Sequence, residues 1–243
     1  MSWDVAALRK MVRARFGAEQ EALLAPCTKS IQDRFRFARY HFNEAKKLLE
    51  NHLGDDHSTA FTLEFGPTSD EQESYLQAKC HARAHVTACL QNIHALSDTM
   101  GHVLCFALGL NRGSEGLRER EISMRSILQR LSQMPDGCTL VNLLNELMHS
   151  GDYQYLSAVV NHSKHRSLVD PVVTHFVEPT GNGPWDLQLS AFCRDKKRYS
   201  VRALASFLRP EYERQSRLIV QIGCALNDVV ATAPTARHDI ISL

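Results

Sequence analysis

The chain has 243 residues, of which 44% are apolar and 23% charged, so it is long enough to bury a core and has the composition of a globular protein. A formal net charge of +1 excludes a strong global attraction to nucleic acid or to an anionic membrane, so any such binding must come from a local patch. The seven cysteines are scattered and form no CxxC pair, which excludes a disulfide framework and is typical of a reducing compartment.

No stretch has the pattern of a targeting or membrane segment. Residues 1–16 are amphipathic and basic, which predicts a helix rather than a secretory signal. The longest strongly apolar run, residues 100–110, is about half as long as a membrane-spanning helix. We therefore expect a soluble, cytoplasmic protein without a membrane or disulfide partner.

Helical periodicity dominates the first two thirds of the chain. After Pro26, apolar residues at three- and four-residue steps predict a helix over Lys29–Leu53, which Gly54 ends. Thr59–Phe65 predicts a short strand or an irregular connection before Gly66-Pro67, the clearest break in the pattern.

The cleanest pattern follows a capping segment, Thr68–Glu71. Apolar residues then alternate steps of four and three over roughly 30 residues, which is a heptad seam. We expect this helix to form the central rod of an antiparallel bundle or of a homodimer. The seam comprises Ala82, Val86, Cys89, Ile93, Leu96, Met100, Val103, Ala107 and Leu110.

The remaining pattern predicts shorter helices and then a small β region. Further helices are expected over Glu119–Leu131, Thr139–His149 and the stretch around Leu156, and strands over Val172–Val177, Trp185–Ala191 and Arg198–Ala203. A final helix is expected over Glu211–Val230, followed by a loose tail at 231–243. The predicted fold is a single, mainly α domain over 1–243: an antiparallel helical bundle with a long central helix and a β insertion at 171–203.

One polar segment interrupts an apolar stripe. The stripe of Leu156, Val159 and Val160 should continue near Ser163 and Lys164, but the chain places polar and cationic groups there. A buried lysine needs a partner or a ligand, so we expect phosphate binding in this segment. The alternative is a helix end whose cations complement the macrodipole. The segment contains Asn161, His162, Lys164, His165 and Arg166.

A helical bundle that carries Asn-x-x-Lys-His-Arg late in the chain, before a small β region and a final helix, resembles the HEPN superfamily. The resemblance implies an RNA- or nucleotide-associated protein of a prokaryotic defence, toxin–antitoxin or regulatory system, usually a homodimer. Asn161, His162 and Lys164 would then bind the ligand. Active members are metal-independent ribonucleases with a histidine five to seven residues after an arginine, whereas here Arg166 follows His165. The resemblance therefore implies binding more than cleavage and leaves enzymatic activity open, with His165 and Arg166 as the catalytic pair if it exists.

The sequence contains three further patterns of possible functional residues. Arg36 and His41 have the arginine–histidine spacing, although five residues separate them by about 140° on a helix. His81, His85 and Cys89 recur at four-residue steps and could hold a metal, but packing of an ordinary helix is the better interpretation, so no metal and no cofactor are predicted. Basic residues around Arg198, interleaved with Phe192 and Tyr199, predict either a nucleic-acid contact or a solvated turn.

The competing hypothesis is a non-enzymatic scaffold or partner-binding bundle. In that case the Asn161–Arg166 segment is purely structural, and its polar groups serve the end of the helix.

Overall fold

The structure is a computed structural model that describes residues 2–54, 57–180 and 183–232. These residues form α-helices Val5–Phe16 (α1), Ala18–Leu53 (α2), His57–Phe65 (α3), Asp70–Ala107 (α4), Met124–Leu131 (α5), Cys138–His149 (α6), Gly151–His165 (α7) and Leu204–Thr232 (α8). The strands are Pro171–Thr180 (β1), Gly183–Leu189 (β2), Phe192–Arg194 (β3), Lys197–Tyr199 (β4) and Arg202–Ala203 (β5). The predicted fold class is confirmed: the protein is mainly α, with a small antiparallel β region before the last helix.

The two longest helices, α2 and α4, run antiparallel. Near the start of α2, the Gln20 amide donates to the Phe106 carbonyl near the end of α4 at 2.8 Å. Near the end of α2, the His52 ring lies 6.1 Å from the Tyr75 ring near the start of α4. The predicted seam of α4 is buried from Ala82 to Ala107, which confirms the heptad pattern over that range. Its last predicted member, Leu110, lies in the turn after α4 and is only half-buried. Because this face packs within the chain, a second copy would have to use another surface, and the homodimer stays a prediction.

The β region occupies the predicted span, 171–203. Strands β1, β2 and β5 form an antiparallel sheet in the order β1-β2-β5, and β3 pairs with β4 as a separate hairpin. Leu187 and Leu189 of β2 are buried, as expected for alternate residues of a half-buried strand. The single third strand predicted over Arg198–Ala203 is instead divided between β4 and β5.

The prediction of a strand or irregular connection at residues 59–65 is wrong, because α3 is a helix. The preference of β-branched and aromatic residues for strands is weak and depends on how they pack, so it does not decide the structure of residues 59–65. Leu63 is buried, and the Gln72 amide donates to the carbonyls of Leu63 and Gly66 at 3.2 and 3.3 Å. The Gln72 side chain of α4 thus donates hydrogen bonds to backbone carbonyls at the carboxyl end of α3, which have no partner within that helix.

Two helices begin earlier than predicted. The predictions started each helix after a proline, whereas Pro26 lies inside α2 and Pro210 lies inside α8. A proline inside a helix removes one backbone hydrogen bond. Beside Pro26 the Thr28 hydroxyl donates to the Ala25 carbonyl at 2.9 Å, and apolar burial before each proline favours the longer helix. The buried side chains are Leu24 in α2 and Leu204, Phe207 and Leu208 in α8.

The helix predicted over Glu119–Leu131 is interrupted. Glu119–Glu121 forms one turn of 3-10 helix, and α5 starts only at Met124. Ser123 is the N-cap of α5, since its hydroxyl accepts a hydrogen bond from the Ser126 backbone N–H at 3.2 Å. A capping residue in the middle of the apolar pattern therefore sets the start of the helix.

The described chain divides by packing into two compact units. Unit 1 comprises the described residues of Met1–Asp33, Ala95–Ser150 and Arg214–Leu243, and unit 2 comprises those of Arg34–His94 and Gly151–Glu213. Helices α2, α4 and α8 each contribute residues to both units. The prediction of a single domain stays a prediction. In the predicted tail at 231–243, Ala231 and Thr232 end α8, and the rest lies outside the described residues.

In unit 1 the Trp3 ring packs on a glycine of α8. A Cβ at Gly223 would lie 2.2 Å from a ring atom of Trp3, so only glycine leaves room for the indole here. The indole N–H donates to the Asn227 side chain at 3.2 Å, one turn further along α8. These contacts hold the segment before α1 against α8.

In unit 2 an aromatic cluster joins α7, the β3–β4 hairpin and α8. The Tyr155 ring of α7 is 5% exposed and contacts the rings of Phe192, Tyr199 and Phe207 at 6.0, 5.9 and 5.0 Å. Trp185 of β2 packs against the same core, and its indole N–H donates to the Gly54 carbonyl at 3.3 Å. This cluster fixes the position of the hairpin on α7.

All seven cysteines are free thiols. Among the helices of the described residues, none has both the length and the apolar character needed to cross a bilayer.

Candidate nucleic-acid interface

The polar segment at the end of α7 divides into an inner and an outer half. In the inner half, the Asn161 amide donates to the Ser157 hydroxyl at 3.1 Å. His162 is 9% exposed; its ring lies edge-on to Phe192 at 5.2 Å, and its Nε2 is 3.3 Å from the Ser167 hydroxyl. Both side chains, predicted to bind a ligand, are engaged within the protein.

The inner half also ends the helix. The Ser163 hydroxyl accepts a hydrogen bond from the Val169 backbone N–H at 3.2 Å, and the Arg166 N–H donates to the His162 carbonyl at 2.9 Å. These bonds turn the chain away from α7 toward β1, as expected for a helix end whose side chains satisfy nearby backbone groups.

The outer half faces solvent, since Lys164, His165 and Arg166 are exposed. The expectation that Lys164 lies in the path of the buried stripe is therefore wrong. The stripe continues from Val159 to His162, three residues on, and an imidazole edge-on to a phenyl ring takes the place of an apolar side chain. An exposed Lys164 carries no burial cost and so does not by itself require a ligand.

The β3–β4 hairpin carries a second group of cations. Phe192 pairs with Tyr199 and Cys193 pairs with Arg198 across the hairpin. Because side chains alternate along a strand, Arg198 projects from the face opposite the two aromatic rings, and it is exposed. Asp195 and Lys196 form the turn with φ of 49° and 63°, the left-handed pair that a tight two-residue hairpin requires.

The acidic side chains of these elements are already paired with other arginines. Asp152 pairs with Arg202 at 2.5 Å, Asp170 with Arg83 at 2.5 Å and Asp195 with Arg194 at 3.1 Å. The cations of α7 and the hairpin tip form no ion pair with any described residue. We name this set the basic surface: Lys164, His165, Arg166, Lys196, Lys197 and Arg198.

The elements that carry the basic surface are in contact. The ring contact between His162 and Phe192 joins the end of α7 to the base of the hairpin. Lys164 follows His162 by two residues, about 200° around the helix, and Arg198 projects from the hairpin face opposite Phe192. The two groups of cations therefore point away from the contact that joins their elements. The sequence predicted both groups separately; the structure brings their elements together within unit 2.

Sequence reasoning missed a histidine pair between α2 and α4. The Nδ1 atoms of His41 and His85 lie 2.8 Å apart, so one ring donates and the other accepts, and the Tyr40 ring lies edge-on to His41 at 5.2 Å. Burial, and then the nearby His85, lower the pKa of His41. His41 was considered only together with Arg36; its actual partner lies 44 residues along the chain, and no local pattern marks it.

The possible metal ligands of α4 do not converge. His81 is exposed, His85 faces His41, and Cys89 is 2% exposed in the core. Burial raises the pKa of the Cys89 thiol to about 12, whereas metal ligation requires a thiolate. Within the described ranges no group of three or more histidine, cysteine or carboxylate side chains is placed to hold a metal ion.

The lowered pKa of His41 makes a testable prediction. Replacing His85 by glutamine keeps a polar partner but removes its charge, so the pKa of His41 should rise, yet stay below 6.5 because burial persists. NMR titration of the His41 ring measures this. His81→Gln, at an exposed position one turn earlier on α4, should leave the His41 titration unchanged. A His41 pKa that does not rise in His85→Gln would contradict the assignment.

The same shift fixes a direction for stability. The folded state disfavours protonation of His41. The contribution of neutral His41 to the free energy of unfolding is therefore fully present above pH 6.5 and is lost as the pH falls through the folded-state pKa. Protonation of both rings also breaks the hydrogen bond between their Nδ1 atoms, because neither Nδ1 can then accept a hydrogen bond.

A scan against protein-family models gives no match to this chain, and searches of curated proteins and of solved structures give none either.

Proposed function

We propose that the protein binds RNA through the basic surface, as a HEPN-like helical protein of a prokaryotic defence or regulatory system. The proposal is supported by the exposed cations of α7 and the hairpin and by the resemblance of residues 161–166 to a HEPN segment. It includes a cytoplasmic location and leaves catalysis open. If a reaction occurs, His165 is the exposed imidazole beside Arg166 that could transfer a proton.

The observation that carries the proposal is the unequal pairing of charges. Asp152, Asp170 and Asp195 each pair with an arginine outside the basic surface, so none of its five lysine and arginine side chains is paired with a carboxylate of the described residues. A chain with a net charge of only +1 thus concentrates positive charge on two neighbouring elements. Phosphate oxygens are the groups such cations bind best.

The helix macrodipole explains only half of this arrangement. Cations near the carboxyl end of α7 stabilise the helix, which accounts for Lys164, His165 and Arg166. It does not account for Lys196, Lys197 and Arg198 in the hairpin. A ligand with several phosphates explains both groups, and single-stranded RNA supplies phosphates along a flexible backbone that can follow both elements.

The test is binding of a fluorescein-labelled oligouridine of about 20 nucleotides, measured by fluorescence anisotropy at several salt concentrations. Lys164→Ala combined with Arg166→Ala should weaken binding by about tenfold or more, and should reduce the slope of log affinity against log salt by about 1.4, the value for two phosphate contacts. Lys196→Ala combined with Arg198→Ala should have a similar effect.

The matched control is Lys10→Ala combined with Arg13→Ala, which removes a lysine and an arginine that are exposed near the carboxyl end of α1. This variant should bind RNA like the unchanged protein. Equal losses in the control and the two test variants would mean that only the overall charge matters, and would refute the basic surface as the binding site.

The scaffold hypothesis is favoured by the inner half of the segment. Asn161, His162 and Ser163 each make a contact that serves the fold. If the whole segment were structural, removing Lys164 and Arg166 would lower the melting temperature and leave RNA affinity unchanged. Because both are exposed and contribute only through the helix macrodipole, we expect the free energy of unfolding to fall by no more than about 1 kcal/mol.

A further inference from the structure

Unit 2 contains a cleft that the basic surface does not use. It has a volume of about 250 Å³ and lies between α2, α4 and the first turns of α8. Its base is apolar and includes Phe42, Ile93 and Leu208, while Arg39, Arg209 and Glu213 lie at its rim. The volume is below the roughly 300–1,000 Å³ of pockets that enclose drug-sized ligands, so it fits a ring system rather than a whole large molecule.

The walls of the cleft are held in place. The Tyr212 hydroxyl donates to the Phe35 carbonyl at 3.3 Å, and the two rings meet edge-on at 5.3 Å. One wall is therefore an aromatic ring in a fixed orientation. At the base, burial raises the pKa of the Cys89 thiol to about 12, so the thiol is neutral and does not repel an anion.

The rim has an excess of positive charge. The rim carries two guanidinium groups, from Arg39 and Arg209, and one carboxylate, from Glu213. None of these three side chains forms an ion pair with a described residue. Arg39 is close enough to Tyr212 to counteract part of the rise that burial causes in the pKa of that phenol. Two guanidinium groups match a phosphate monoester, which carries up to two negative charges and several acceptor oxygens.

We propose that this cleft binds a nucleoside monophosphate. The nucleobase of the ligand lies against the rings of Phe42 and Tyr212, and its phosphate is bound by Arg39 and Arg209. Glu213 accepts a hydrogen bond from an amino or hydroxyl group of the ligand. Asn43, also in the lining, offers both a donor and an acceptor to the edge of a base. The proposal does not rest on RNA binding, since no residue of the basic surface lines the cleft.

The experiment is isothermal titration of the full chain with each of the four ribonucleoside monophosphates. At least one should bind, and the matching nucleoside and inorganic phosphate should each bind about tenfold or more weakly, because each supplies only half of the contacts. Absence of binding by all four would overturn the proposal. Octanoate that binds as tightly as the best nucleotide would also overturn it, because the site would then be specific for an aliphatic acid.

Two variants separate the site from the fold. Arg39→Ala and Arg209→Ala should each weaken nucleotide binding by about tenfold while leaving nucleoside binding unchanged. Arg217→Ala, which removes an exposed arginine of α8 outside the cleft, is the matched control and should bind the nucleotide normally. Equal affinity in Arg209→Ala and the unchanged protein would refute the phosphate assignment. The Lys164→Ala/Arg166→Ala variant should retain nucleotide binding, so the two proposals can fail independently.

Discussion

Replacing Tyr155 by alanine is expected to lower the free energy of unfolding by about 3–5 kcal/mol. The side chain is 5% exposed and its ring contacts three others, so truncation leaves a cavity that the rigid neighbours cannot fill. The Arg202 guanidinium, 4.6 Å above the Tyr155 ring, loses that contact as well. Urea denaturation followed by circular dichroism measures the change.

The matched variant is Tyr155→Phe, which keeps the ring and removes only the hydroxyl. It loses the bond to the Ser200 carbonyl at 3.3 Å, so the expected cost is about 0.5–1.5 kcal/mol. If alanine and phenylalanine cost the same, the ring cluster does not hold the hairpin on α7. The hairpin would then not be held on α7, and the two groups of cations in the basic surface would have no fixed arrangement.

The second large effect is expected at Leu96, in the middle of the α4 seam. The side chain is fully buried, and Leu96→Ala should cost about 2–5 kcal/mol through lost apolar burial and the cavity left behind. Chemical denaturation, with the midpoint and slope fitted together, gives the value.

Asp98→Ala, two residues further along α4 at an exposed position, is the control and should change stability by no more than about 0.5 kcal/mol. The pair compares the two faces of one helix within unit 1. A loss at Asp98 as large as that at Leu96 would mean that the seam does not define the buried face.

The seam shows what could be predicted from the sequence. Periodicity reports which face of a helix is buried, and every predicted seam residue from Ala82 to Ala107 is buried. It does not report that α4 also buries Leu90, Leu104 and Cys105 outside the seam. The β region was likewise predictable, because its alternating residues and turn signals change the period from helical to extended. These features are encoded locally, within a few turns or strands of one another.

The errors occurred where tertiary contacts outweigh local preference. α3 has the composition of a strand but is a helix with one buried leucine, Leu63, and with its end capped by Gln72. Pro26 and Pro210 have the usual signal of a helix boundary, yet both lie inside helices. Before Pro210, burial of Leu204, Phe207 and Leu208 at about 1.5–3 kcal/mol each exceeds the roughly 3 kcal/mol cost of one proline.

The candidate sites show the same difference between features encoded locally and features that depend on tertiary contacts. The polar segment was visible in the sequence because it breaks a periodic stripe, but the orientation of Lys164 depends on where α7 ends, and that is fixed by Ser163 and Val169. The His41–His85 pair and the cleft could not be predicted, because each joins residues from different helices. The packing of α2 on α4 makes the two histidines neighbours, and the cleft requires α8 as well.

The two tryptophans allow the units to be followed separately. Trp3 packs on Gly223 in unit 1, and Trp185 packs against the core of unit 2. With one indole in each unit, Trp3→Phe and Trp185→Phe variants each retain a single tryptophan, whose emission can be excited selectively at about 295 nm. Their emission during denaturation reports whether one cooperative transition links the units, as expected if the shared helices α2, α4 and α8 must unfold as a whole.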